Sequence, residues 1–334
     1  MAHPHFPKAM DVEITALKLL RTWYVESLPQ QEGIDYIETF SPVAKLASVK
    51  LVLGLAAKHS WRLTQMDVTN AFLHGTLDEE IYMSLPQGYT PANGAPLPPN
   101  AVCRLHNSLY GLKQASRQWY HCFSTVLLNE GFEQAHGDNT LFVKQTGDSF
   151  IALLDLQAAL HRAFKIKDLG APKYFLGLEI ARNASGILLC QRKYALDILA
   201  ATSMLACKPE NVPMDPTVNL SRESETFLED ATSYRELVGR LLYLTITRPD
   251  ITFAVNNLSQ FLSCPTDVHY AAALRVLWYL KNNPGQGIFF SVDTELCLNA
   301  FSDANYGTCP DSRRSVTGFC IYLGSSLINW KSKK

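Results

Sequence analysis

Along this chain the apolar residues change their spacing several times, and each change marks an element. From Met10 to Trp23 they recur at helical intervals, until the polar run SLPQQEG (27–33) breaks the pattern. Ser48–His59, SVKLVLGLAAKH, opens on a serine able to cap a helix and keeps apolar side chains on one face. WRLTQMDV (61–68) then reads as a strand with Asp67 at its end. The Pro- and Gly-rich run YTPANGAPLPPNA (89–101) is a loop. Ser116–Glu130 is an amphipathic helix stopped by Gly131, and Asn139–Gln145 and Ser149–Leu154 read as short strands.

Beyond them Leu156–Phe164 is helical, and Tyr174–Ala181 and Gly186–Gln191 pair as strands around an Asn-Ala-Ser-Gly turn. Residues 208–232 are polar with several prolines, which makes them the best linker. From Tyr234 to Asn283 the pattern is helical three times over, broken at 248–250 and 263–267. The last fifty residues return to strand. No repeat of 20 to 50 residues is present, which excludes a solenoid. The fold class is α+β, ordered as an α+β part, a helical part and a β part.

Composition narrows the function classes. The 334 residues are 47% hydrophobic and 18% charged, enough to bury a core in two or more units. No apolar run reaches the roughly 18 to 20 residues that span a bilayer. The N-terminus lacks the apolar stretch and cleavage site of a signal peptide. Eight cysteines without a CxxC pair or zinc spacing read as reduced thiols, so an intracellular protein, cytoplasmic or nuclear, is expected, with no membrane partner. Three Asn-x-Ser matches at Asn183, Asn219 and Asn257 carry no weight without a secretory route. Thirty basic against 31 acidic residues give a net charge of −1, a mild argument against electrostatic capture of nucleic acid.

Longer motifs add up to a family. EGIDYIETFSPVAK (32–45), QMDVTNAFLHGTLDEEIYMSLPQGY (65–89) and CRLHNSLYGLKQASRQWY (103–120) resemble the reverse transcriptase of copia-type retrotransposon Pol polyproteins. The likeness continues through DLGAPKYFLGLEI (168–180) and SYRELVGRLLYLTITRPDITFAVNNLSQF (233–261). AFSDANYGTCPDSRRSVTGFCIYLG (300–324) is similar to the opening strands of that polyprotein's RNase H.

The resemblance implies two-metal phosphoryl transfer, with magnesium ions about 3.5–4 Å apart holding the primer 3′ oxygen and the triphosphate in line. Three aspartates hold the ions in the family, one on a strand end and two in a Tyr-x-Asp-Asp hairpin turn. Asp67 is then the first of the three, assisted by the carbonyl of Val68. Phe72 takes the position that rejects a 2′-hydroxyl by size, and Gln114 the position that touches the incoming nucleotide. Ser116 stands where the family usually has proline. Lys113 and Arg117, one turn apart, followed by Arg162, Lys165 and Lys167, make either a phosphate track or a solvated face. Taken singly, a strand-end Asp is commonly a solvated or capping residue, an isolated Phe belongs to a core, and Gln114 carries no signal. The combined motif is what lifts them.

Three departures follow. After the strand FIALL the chain reads DLQAALHRAF and passes straight into a helix, so the hairpin turn and both its aspartates are missing near 154–155. Asp155 suits a helix N-cap and cannot replace two adjacent carboxylates. Upstream, RTWYVESLPQ joins QEGIDY without the basic fingers segment, which accounts for the neutral charge. At the other end Asp303 matches the first metal-binding aspartate of RNase H, while the sequence stops at KSKK before the helix that would bring the next acid. Three strands alone leave open edges, so this segment is expected to be poorly stable or to lean on the helical region.

The expected domains are a fingers remnant (1–29), the palm and fingers of the polymerase (30–206), a linker and helical connection (207–290) and a truncated RNase H-like start (291–334). The expected function is a reverse transcriptase fragment that is catalytically inactive. Its partners by resemblance are RNA/DNA template-primer and dNTPs, with Mg2+ binding doubtful and the oligomeric state open. The alternative is a domesticated, non-enzymatic module that binds nucleic acid or protein. The low positive charge counts against it, though Tyr, Trp and Arg side chains could stack on bases.

Overall fold

The computed structural model describes residues 23–26, 41, 43–86, 89, 96–146, 149–152, 164, 166–218, 220–221 and 226–334. In chain order these form β1 (Trp23–Glu26), α1 (Leu46–Lys58), β2 (Gln65–Val68), β3 (Thr76–Ser84) and β4 (Val102–Asn107). Next come α2 (Ala115–Asn129), β5 (Glu133–Gln134), β6 (Phe142–Thr146), β7 (Ser149–Ala152) and β8 (Ile166–Gly170). The second half holds β9 (Tyr174–Phe175), β10 (Leu178–Asn183), β11 (Gly186–Cys190), α3 (Arg192–Ala201), α4 (Thr232–Leu244), α5 (Thr252–Leu258) and α6 (Asp267–Asn282). It closes with β12 (Ile288–Ser291), β13 (Leu298–Ala304), β14 (Thr317–Leu323) and β15 (Ser326–Lys333). Two units result, one of Met1–Lys45 and Thr64–Gly170, the other of Leu46–Leu63 and Ala171–Lys334.

The first unit carries three small antiparallel sheets, ordered β1-β4-β3, β2-β8 and β5-β6-β7. Its core gathers Leu127, Phe132, Phe142, Phe164 and Ile166, with Trp119, Phe123 and Val126 of α2 packed against them. That spacing along α2 sets one apolar stripe toward the aromatic cluster. The helix stops as its sequence dictates. Gly131 adopts φ +79, and the Phe132 N–H donates back to the Leu127 carbonyl at 3.1 Å.

In the second unit, β12-β11-β10-β9 forms one sheet and β13-β14-β15 another. Helix α1 supplies Leu53, Ala56 and Ala57 to a cluster with Leu178, Ile187, Leu189, Ile288, Phe290, Leu323 and Ile328. The helices α3 to α6 share a second cluster, to which α4 brings Tyr234, Leu237, Val238, Leu241 and Leu244, a 3.6-residue stripe. Helix α6 starts at a capping box, with the Thr266 N–H donating to Nδ1 of His269 at 3.0 Å.

Several sequence expectations change here. Trp23 opens strand β1, which pairs with β4, instead of ending a helix; the rest of the Met10–Trp23 pattern lies outside the described residues. The helical reading of Leu156–Phe164 falls outside them too, apart from Phe164. The strand expected over Tyr174–Ala181 is broken in two, because Leu176 at φ +51 and Gly177 at φ +76 turn the chain between β9 and β10. The Tyr243 hydroxyl fixes that turn by donating to the Leu176 carbonyl at 2.9 Å.

One charged network lies deep in the helical cluster. Arg248 is 1% exposed, donates to both Asp250 oxygens at 3.0 and 2.7 Å, and reaches the Asn283 carbonyl at 3.0 Å. The Tyr279 hydroxyl adds a third donor to Asp250 at 2.8 Å. Burial works to raise the Asp250 carboxyl, but Arg248 and Tyr279 outweigh it and hold the group below the ordinary carboxylate value. The Lys50 ammonium, buried in α1, sits 3.5 Å over the Trp330 ring, and burial alone lowers its pKa to about 7.

Opposite outcomes are expected at these two sites. Asp250→Ala leaves Arg248 buried without its partner and should cost about 3–5 kcal/mol in urea unfolding, whereas Arg240→Ala, at the exposed Glu236 pair, should cost under about 1 kcal/mol. The Asp250 contribution is full above the unfolded carboxyl range near pH 4 and is lost as pH falls through the lower folded value. Lys50 runs the other way: its penalty is complete below about pH 7 and shrinks as pH climbs toward 10.5. Lys50→Met should therefore raise the thermal midpoint by roughly 5 °C at pH 6 and by less at pH 10.

Candidate functional site

The motif residues of the first unit are positioned by a short turn, a helix and a two-stranded ribbon. Ala71–His74 forms a single 3-10 turn after Asn70, whose left-handed φ of 55° swings the chain out of β2. The Asn107 amide donates to the Leu73 carbonyl at 2.8 Å, and the Ser108 N–H to the Gly75 carbonyl at 2.7 Å, which tie the turn to β4. Gly75 lies so close to α2 that a Cβ there would be 2.9 Å from the backbone of Gln118 and Trp119. Only a glycine lets Phe72 and α2 approach this far.

Phe72 stacks at a tilt on Tyr110, with ring centroids 4.8 Å apart. On its other side opens a cavity of about 600 Å³, lined by Phe72, Lys113, Trp119, Tyr120, Phe123 and Phe142, together with Ser41 and Thr140. Its rim is held by polar contacts. The Ser41 hydroxyl donates to the Ser116 carbonyl at 3.2 Å, and the Lys45 N–H donates to Asp138 at 3.0 Å. Asp138 also accepts from the N–H and hydroxyl of Thr140 at 3.0 and 2.7 Å. Within the wall, the Tyr120 hydroxyl donates to the Asn139 carbonyl at 2.7 Å, and burial pushes its pKa up. Burial likewise lowers the pKa of His74, which sits between Trp119 and Phe164, against a raising contact from the Thr69 backbone.

Gln114 does not face this space openly. It is 2% exposed at the start of α2, and its Nε2 finds no partner among the described residues. Lys113 is exposed beside the cavity and Arg117 half-buried on the first turn of α2.

Asp67 stands apart. Strands β2 and β8 pair antiparallel, with Met66 opposite Asp168, Asp67 opposite Lys167 and Val68 opposite Ile166. Side chains alternate across a strand, and directly opposed residues share a face. Val68, Met66 and Ile166 therefore turn toward the aromatic core, while Asp67 and Lys167 share the solvent face, both exposed. Asp168 belongs to the other face, where its carboxylate accepts from the Gly170 N–H at 2.7 Å. Among the described residues no three Asp, Glu, His or Cys side chains converge. Asp303, in the second unit, is exposed on β13 opposite Gly318 and accepts from the Ala304 N–H at 2.8 Å.

A family profile described as reverse transcriptase (RNA-dependent DNA polymerase) matches residues 21–216. The chain belongs to this family. It is 44% identical over 322 residues to the "Retrovirus-related Pol polyprotein from transposon RE1" of Arabidopsis thaliana, covering 91% of this chain and 22% of that one. It is 34% identical over 336 residues to the corresponding Pol polyprotein from transposon TNT 1-94 of Nicotiana tabacum, covering 92% of this chain and 25% of that one. An uncharacterized mitochondrial protein of Arabidopsis thaliana is 40% identical over 189 residues, which span 57% of this chain and 78% of that protein. The chain thus spans about a fifth to a quarter of the polyproteins it matches. The copia-type resemblance holds over most of its length.

Reverse transcriptases generally use magnesium, and the motif resemblance points to Asp67 as a residue that would hold it. Among the described residues the exposed Asp67 carboxylate has a lysine, not a second carboxylate, directly across the ribbon, which does not fit a pair of such ions. Sequence reasoning missed Lys167 as the neighbour of Asp67, since only the pairing of strands a hundred residues apart reveals it. It also gave no role to Trp119, Tyr120, Ser41 and Thr140; the Trp-Tyr pair in SRQWY was the one local signal.

Gly75→Ala should cost about 1–3 kcal/mol, because the added methyl meets helix backbone that cannot move aside as a side chain would. Thermal unfolding checks it, with Gly137→Ala, where a Cβ meets nothing within 4 Å, as the neutral comparison.

Proposed function

We propose that this chain is a polymerase-derived module of the reverse transcriptase family that retains the palm-and-fingers frame without DNA synthesis. The observation that carries the reading is the β2–β8 register, which sets Lys167, not a carboxylate, directly across from Asp67. The sequence agrees, since from Ser149 to Gly170 it reads SFIALLDLQAALHRAFKIKDLG, with no two adjacent acids. Positioning and charge stabilisation are nearly all that a protein supplies to phosphoryl transfer, so losing the ions removes the reaction outright. In this reading residues 30–206 derive from the polymerase, 207–290 from the helical connection and 291–334 from the start of RNase H.

The cavity beside Phe72 favours a second reading, retained binding without turnover. Aromatic walls from Phe72, Trp119 and Tyr120 offer stacking surface for a base, and Lys113 offers a charge for phosphate. The partner would be a nucleotide or a single strand, held without metal.

Primer extension by the full chain on an RNA template, with magnesium or manganese, should stay at background, and Asp67→Asn should change nothing. Extension above background that Asp67→Asn abolishes would refute the reading. Retention of labelled RNA that weakens with salt, and weakens further in Lys113→Glu, is expected if the binding reading is right; no retention at low salt removes it.

A further inference from the structure

Helix α6 opens on a capping box whose third helical residue is a histidine, where glutamate or glutamine is usual. The Thr266 N–H donates to Nδ1 of His269 at 3.0 Å, and the Thr266 hydroxyl lies 2.8 Å from the same nitrogen. A backbone N–H can only donate, so Nδ1 is unprotonated and Nε2 holds the ring's single proton. The Ser221 backbone, in the linker, accepts from the ring. Thr266 and His269 are 0% and 1% exposed, and the Phe261 ring stacks on the imidazole at 3.9 Å. The same helix start holds the linker at a second place. Phe227 forms a β-bridge with Thr266, the Leu228 N–H donates to the Pro265 carbonyl at 3.1 Å, and the Asp267 N–H donates to the Thr226 carbonyl at 3.2 Å.

We propose that His269 is an acid-released clasp that fastens the linker to the start of α6. A second proton, on Nδ1, sets two donors head to head across 3.0 Å in a buried place. It also puts a cation in the first turn of α6, at the positive end of the helix dipole. The charged ring therefore leaves its seat, gives up Ser221 and strips Thr266 of its acceptor. The linker contacts built on Pro265–Asp267 loosen with it. Among the described residues, Asp267 on α6 and Asp311 between β13 and β14 favour the charged ring, but burial outweighs both and holds the imidazole below the ordinary histidine value. On α4, Arg235 directs its guanidinium to the Leu262 and Ser263 carbonyls, next to the Phe261 turn. Ser221 and Thr226–Leu228 carry no charge. Stability is thus full above the unfolded histidine value of about 6.5, and it declines as pH falls from there to the lower folded value.

Long-range proton–nitrogen NMR of the full chain at pH 8 reads the tautomer, and an unprotonated Nδ1 with a protonated Nε2 is expected at His269. On acidification the ring should take its second proton below about pH 6.5. Over the same step, amide exchange at Asp267 and Leu228, corrected for its intrinsic rate, should quicken roughly tenfold for each unit by which the folded value is depressed. His269→Gln rebuilds the usual box with an amide that does not titrate, so both amides should stay protected down to about pH 5. The other histidines are common to both chains and the aspartates titrate near pH 4, so the difference isolates His269. A proton on Nδ1 at pH 8, titration at or above about 6.5, or acid-quickened exchange that persists in folded His269→Gln overturns the proposal. Circular dichroism checks that the variant folds; if it does not, the tautomer and titration of the native chain decide.

Discussion

An antiparallel ladder of four residue pairs governs the first unit. Because β2 and β8 oppose each other as they do, one side of the ribbon delivers Met66, Val68 and Ile166 to the aromatic cluster and the other side faces water. The same alternation that builds the core thereby fixes what stands beside Asp67. Turning Asp168 to the side of Asp67 would require a one-residue slip of β8, and that slip would carry Ile166 out of the core it now fills. The packing of Phe142, Phe164 and Leu127 and the charge environment of the motif aspartate are one constraint seen from two faces.

The second unit solves a different problem. Its helices meet around an apolar cluster that contains one arginine, and that arginine is tolerated because an aspartate, a tyrosine hydroxyl and a carbonyl surround it. The residues doing this, Arg248 and Asp250, form part of the motif TITRPDITF that carried the family likeness. That portion of the likeness reports on packing, since its arginine is buried and directs its donors to Asp250 and the Asn283 carbonyl. The turn motif TNAFLHG does both kinds of work, its glycine admitting the helix and its phenylalanine walling the cavity.

Periodicity made the helices legible. The stripes in 48–59, 116–130 and 234–283 match α1, α2 and α4 to α6 within a few residues, because the same side chains that define the spacing fill the clusters. Strand β3 escaped the pattern, since Asp78, Glu79 and Glu80 interrupt its apolar residues and its stability comes from pairing with β4. The break at Leu176 was equally hidden, because a positive φ at leucine is imposed by the turn and by Tyr243, not by local preference. Asp67, Phe72 and Gln114 were singled out through motif alone. The burial of Gln114 and the neighbour of Asp67 depend on contacts made over long stretches of sequence, which no local pattern encodes.

Helix α1 is flanked on both sides by residues of the first unit, yet it belongs to the core of the second. On a translating ribosome its apolar face emerges more than two hundred residues ahead of the strands β12 and β15 that will cover it. Neither unit can be excised by a single cut without stranding this helix. During synthesis Leu53, Ala56 and Ala57 wait for most of their core partners until the second unit has been made, an exposure of the kind that favours non-native association.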